Sequence, residues 1–119
     1  MADLIFSPKI SLIAPELLFI EIRRHKEEIM KKSDLSFVDF DLLLALIEGR
    51  VAIVPMKEFI YLLPKAEKLL AGHKKDAPYV ALALKFDCPV WSYEKRFKTI
   101  GHVESLTTAE VRARLKSQA

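Results

Sequence analysis

The chain is poor in cysteine, histidine and glycine, and each shortage removes a class of chemistry. Cys88 is the single cysteine among 119 residues, which excludes an internal disulfide and a cysteine-ligated zinc site. The three histidines, His25, His73 and His102, are scattered without metal-ligand spacing. With three glycines there is no glycine-rich phosphate loop and no Gly-x-Ser-x-Gly elbow. Long apolar runs are missing as well. The longest, residues 17–20 and 42–47, fall far short of the roughly 20 residues that span a bilayer. No basic-then-apolar leader opens the chain, and the expectation is a cytoplasmic protein without a membrane segment.

What remains is a chain with enough apolar mass to fold. Half of it is hydrophobic (51%), and its length suits one domain covering residues 1–119. Lys and Arg outnumber Asp and Glu by 19 to 16, for an isoelectric point near 9.0. The cations gather at Arg23-Arg24-His25-Lys26, Lys31-Lys32, His73-Lys74-Lys75, Lys95-Arg96 and in the last eight residues. A basic face suits a polyanion such as RNA or DNA, although each cluster alone is more simply a solvated helix face.

Short continuous apolar runs alternate with helical patterns. Residues 10–14 form an expected strand, and Pro15 suits the first turn of a helix over 15–32. Ser36 is placed to cap a second helix that Gly49 terminates. Residues 51–54 form a second strand, closed by Pro55. A helical pattern over 57–70 is interrupted at Pro64, and a basic loop follows at 73–75. Asp76 opens a helix rich in alanine, residues 89–92 and 103–106 form two more strands, and Thr107-x-x-Glu110 is a capping box for a last helix. This alternation, with strands apolar on both faces, predicts an α/β fold around a mostly parallel sheet.

Three acids stand where such a fold can place chemistry. Glu21 is the one charge within Leu17-Leu-Phe-Ile-Glu-Ile, Asp76 precedes a helix, and Glu94 follows a strand. In a parallel sheet these positions can meet at the C-terminal edge, where ligands collect. Converging carboxylates need a cation, and hard oxygen ligands select Mg²⁺ or Mn²⁺ over zinc. Such an ion would activate water against a phosphodiester. Each acid also has a purely structural explanation. Arg24 and His25 lie three and four positions after Glu21 for a local ion pair, Asp76 is a good helix N-cap, and Glu94 is an ordinary loop acid. Cys88 before Pro89 reads as a core residue, and Trp91 and Tyr93 as sheet packing.

The segment Asp76-Ala-Pro-Tyr-Val-Ala-Leu-Ala-Leu, followed by Pro89-Val-Trp-Ser-Tyr-Glu-Lys-Arg-Phe, resembles the C-terminal half of a PIN domain. Leu12-Ile-Ala-Pro-Glu-Leu-Leu-Phe-Ile-Glu-Ile resembles that family's second strand and acid-bearing helix. The resemblance covers residues 4–115 and implies a doubly wound, three-layer α/β fold with a short sheet of about four strands. It also implies a nuclease that cleaves single-stranded RNA with Mg²⁺ or Mn²⁺. Glu21 then matches the helix acid, Asp76 the acid before the alanine-rich helix, and Ser92 the small hydroxyl after the family's fourth strand. Glu94 stands where the family has Asp, a longer arm. Toxin-type relatives imply a homodimer and an antitoxin-like partner. One departure is plain: no Asp-Thr-Asn-like strand end, the source of the family's first metal ligand, occurs in the chain. Residues 1–8 instead resemble the end of the crossover helix after that strand. Losing a central strand leaves its neighbours with unpaired backbone groups, and the other implied reading is a PIN-like module that binds RNA or protein without catalysis.

Overall fold

A computed structural model describes residues 2–117, and within them the chain separates into two compact units. The first is Ala2–Val54 and the second runs from Pro55 onward.

In the first unit α1 (Ala2–Ile5) leads to β1 (Leu12–Pro15), and then α2 (Glu16–Arg24), α3 (Lys26–Ser33), α4 (Phe37–Arg50) and β2 (Val51–Val54) follow. Of the segment expected to finish a crossover helix, 2–5 are helical and Met1 lies outside the described residues. Strand β1 begins two residues later than the apolar run suggests and takes in Pro15, whose φ of −69° and ψ of 148° are extended. Pro15 is therefore the residue before α2 and not its first turn.

The helix expected over 15–32 breaks at His25, whose φ of −101° and ψ of 21° leave the helical range. The charges explain the break. Arg23 and Arg24 end α2, and Glu27 and Glu28 open α3, so each helix carries the sign that suits its own terminus. Ser36 does cap α4, its hydroxyl accepting the Asp39 N–H at 3.1 Å. Gly49 does not terminate that helix, which continues through Arg50 directly into β2. The Arg50 guanidinium donates to the carbonyls of Ser7 at 2.8 Å and Ile5 at 3.4 Å, holding the last turn in place. The core of this unit is Ala14, Phe19, Phe40 and Leu44, packed by Leu18, Ile22, Ile29, Met30, Ile47 and Val51.

The second unit starts with two short 3-10 turns, Met56–Glu58 and Ile60–Leu62, and continues into α5 (Leu63–Leu69). Pro64 sits in the first turn of α5, the restart that its missing N–H favours. The basic stretch at 73–75 is partly ordered as a 3-10 turn, Lys74–Asp76, after Gly72 at φ +101°. Helix α6 (Ala77–Phe86) is buried along most of its length through Ala77, Pro78, Val80, Ala81, Leu82 and Ala83. Its small side chains let α5, the Ile60–Leu62 turn and β3 pack close against it. Strands β3 (Val90–Trp91) and β4 (Ser105–Leu106) are shorter than the apolar runs that carry them, and α7 (Thr108–Ser117) ends the description. The capping box forms in both directions: Glu110 N–H donates to Thr107 Oγ1 at 3.2 Å, and Thr107 N–H to Glu110 Oε1 at 3.1 Å.

Both strand pairings are parallel. Leu12 to Pro15 of β1 pair in register with Val51 to Val54 of β2, and Val90 and Trp91 with Ser105 and Leu106. The single sheet expected from the alternation is thus two two-stranded sheets, one in each unit. Among the described residues every strand has one hydrogen-bonded neighbour. Two-stranded sheets are marginal alone, and the helices packed on them supply the stability.

Candidate active site

The four residues singled out from the sequence fall one in the first unit and three in the second. Glu21 lies in the last two turns of α2, half-buried. The local pair expected with His25 does not form, because His25 Nδ1 turns to Glu28 at 3.5 Å. What His25 gives Glu21 is a backbone N–H to its carbonyl, at 3.0 Å. Glu21 therefore holds a carboxylate inside the apolar segment of α2, and among the described residues no ion pair to it is formed.

Asp76 stands at the N-cap position of α6, but with φ −91° and ψ −6° its backbone is already helical, and its side chain makes no capping hydrogen bond. The capping expectation is corrected by this geometry: an N-cap acts from an extended backbone that swings its oxygen over the N2 and N3 amides. The residue is half-buried, with Oδ2 shielded from solvent. Burial of the helix that follows fixes where Asp76 stands, since Ala77 and Pro78 are both in the core.

Ser92 and Glu94 leave β3 together. The Ser92 N–H donates to the Leu106 carbonyl at 2.9 Å, which pins the strand end to β4. Its hydroxyl accepts the Glu94 N–H at 3.0 Å, a serine turn that sets the direction of the chain. Glu94 is exposed and precedes a 3-10 turn, Lys95–Thr99. The structure therefore couples Ser92 to Glu94 by a direct hydrogen bond. Within neither unit do three or more His, Cys, Asp or Glu gather into a group that would hold a metal ion, among the described residues.

One residue that matters to this region is not among the expected ones. Thr108, buried at the start of α7, accepts hydrogen bonds from Trp91 Nε1, at 3.0 Å, and from the Tyr93 hydroxyl. Trp91 and Tyr93 are thus anchors between the β3 end and α7, in line with a packing role. A threonine inside a capping box, one place after the cap residue, gives no sequence signal of this.

A cleft of about 630 Å³ opens beside β4 and α7, lined by Lys98, Glu104, Ser105, Glu110 and Arg114 among others. None of the four candidate residues lines it. Its charges are already paired: Lys98 bonds Glu110, and Arg114 bonds Glu104 with both nitrogens, at 3.0 and 2.7 Å. Lys98, with the Thr107 amide and hydroxyl, pulls the Glu110 carboxyl from 4.5 down to about 2. Arg114 lowers Glu104 in the same direction. Burial, with Asp87 beside it, raises the Cys88 thiol, which disfavours the thiolate.

The decisive comparison is with protein-family models: a PIN domain model matches residues 2–116. The chain belongs to the PIN domain family. The match spans both units of this PIN domain and takes in Glu21, Asp76, Ser92 and Glu94. No curated protein and no solved structure matches the chain. Membership carries a nuclease-like function in general terms and an association with RNA. No helix among the described residues is long and apolar enough to cross a membrane.

Proposed function

We propose that this PIN domain is a metal-dependent endoribonuclease that hydrolyses RNA phosphodiester bonds in the cytoplasm, with Glu21, Asp76 and Glu94 as its metal-holding acids. The observation that carries the reading is Asp76. It stands half-buried at the N-cap position of α6 without a capping hydrogen bond, held there by the buried start of the helix. The donor set is entirely carboxylate, which fits Mg²⁺ or Mn²⁺. Bound there, such an ion contributes Lewis-acid chemistry toward water and phosphate. The chain's own residues do the placing: the buried start of α6 positions Asp76, and Ser92 aims the loop that carries Glu94. The basic clusters hold the strand by its phosphates. The test is cleavage of single-stranded RNA with Mn²⁺, set against EDTA and against Asp76→Asn.

A second reading is a PIN-like module that binds RNA or protein without catalysis. It needs only the basic clusters and the exposed faces, with no acids gathered around an ion. Binding without metal-dependent cleavage selects it.

The assembly we propose is a homodimer through α4. Phe37, Val38, Leu42, Leu43 and Leu46 are each between 40% and 75% exposed on this one helix. Val38, Leu42, Leu43 and Leu46, which share one side of the helix, leave on the order of 400 Å² bare. Two copies would bury roughly 800 Å² through it, the size of a weak, transient interface. An antitoxin-like partner helix is the competing occupant of the same face.

A further inference from the structure

The surface at the C-terminal end of α6 carries chemistry that the candidate acids do not use. Tyr61, in the Ile60–Leu62 turn, is 66% exposed, and Phe86, the last residue of α6, is 47% exposed. Lys85 lies between them, its ammonium 5.7 Å from the Tyr61 ring centre and 5.9 Å from that of Phe86. The two cation–π contacts hold the three side chains together and leave both rings exposed to solvent. They are also what a single-stranded nucleic acid uses: a ring face for a base and a positive charge for the adjoining phosphate. Helix α5, which packs on α6, adds the exposed cations Lys65 and Lys68 to this unit. The nearest acid in sequence is Asp87, whose left-handed backbone at φ 49° ends the helix.

We propose that Tyr61, Lys85 and Phe86 form a stacking subsite for single-stranded RNA. The proposal rests on the ribonuclease reading for its ligand class but not on catalysis. Asp76 and Phe86 stand at opposite ends of α6, about 15 Å apart at the rise of an α-helix. The subsite therefore grips the strand a few nucleotides from the candidate acids and makes affinity depend on bases there. Any base serves, because every base has a π-face, so the subsite favours unpaired RNA without favouring a sequence.

The experiment is fluorescence anisotropy in EDTA, which removes cleavage, with a labelled mixed-sequence RNA 12-mer, its duplex, and an abasic strand carrying the same number of phosphates. The wild-type protein is expected to bind the single strand more tightly than the duplex or the abasic strand. Tyr61→Ala and Phe86→Ala are each expected to weaken single-strand binding by roughly 5- to 150-fold, the measured range for one stacked base. Tyr61→Phe and Phe86→Tyr should retain it, since both keep a ring. Lys85→Gln should lower the slope of log affinity against log salt by about one phosphate contact. All these side chains are exposed, and unchanged melting temperatures would show the variants folded. Wild-type binding that the alanine variants leave intact, or equal affinity for the abasic strand, would overturn the subsite while the RNA reading stands. Failure of the wild type to bind any RNA would overturn both and assign the aromatic patch to a protein partner.

Discussion

At the scale of single residues, the chemistry turns on which hydrogen bonds each polar side chain makes. Ser92 is the clearest case, because its hydroxyl accepts the Glu94 amide and so fixes the loop that carries an acid. Ser92→Ala removes that acceptor at a cost of about 1 kcal/mol in stability, small enough to leave the fold intact. The expected outcome is a marked fall in metal-dependent cleavage with a melting temperature only a few degrees lower. Ser92→Thr, which keeps the oxygen, should restore activity; equal activity in all three proteins would contradict the positioning role. Glu110 gives a pH prediction. Its carboxyl titrates near 2 in the fold against an ordinary 4.5, because Lys98 and Thr107 favour the ionised form. A lowered folded value contributes stability that is full above about 4.5 and is lost as pH falls toward about 2. Glu110→Gln should therefore melt below wild type at pH 7 and match it near pH 2, measured by thermal melts. An identical gap at both pH values would mean that the effect is packing and not charge. These residue roles were partly legible: Thr107-x-x-Glu110 announced its own geometry, whereas Lys98 and Thr108 reach their partners through tertiary placement that no local pattern encodes.

At the scale of elements, the sequence marked most of the helices and located every strand, but misplaced several boundaries. β2 is found where its apolar run lies because Pro55 closes it. β1 slips by two residues because Pro15, which cannot donate to a ladder, still tolerates extended backbone at a strand end. The break between α2 and α3 was written in the order Arg23, Arg24, Glu27, Glu28, a reversal of charge that matters more than the unbroken apolar spacing across it. Gly49 misled because a glycine ends a helix only when the backbone turns left-handed, and in this chain the positive-φ glycine is Gly72. The element with the largest unexplained surface is α4. Leu42→Lys at the middle of its bare face should convert a dimer to a monomer, read as a halving of mass by light scattering, with little loss of melting temperature. A monomeric wild type, or a dimer that survives the substitution, would rule out the α4 interface.

For the whole molecule, the fold class was legible and the arrangement of the sheet was not. Alternating apolar runs and helices predict parallel pairing, and both pairs are parallel. Periodicity says nothing about which strands become neighbours, so the division into two two-stranded sheets had no signal in the sequence. The same limit applies to the acids. Sequence order can bring Glu21, Asp76 and Glu94 into one line of argument, but only tertiary structure gathers ligands, and among the described residues of each unit no group of three is gathered. The excess of three positive charges is consistent with a polyanionic ligand and predicts that RNA affinity falls as salt rises.

The most direct test of the ribonuclease account is cleavage of a mixed single-stranded RNA by the purified protein with Mn²⁺, with EDTA and Asp76→Asn as controls. A melting temperature of Asp76→Asn close to that of the wild type would show that lost activity reports chemistry and not unfolding. The account predicts cleavage that requires the metal and disappears in Asp76→Asn. Cleavage at the same rate in the variant, or none above its background in the wild type, would contradict it and leave this PIN domain as a binding module.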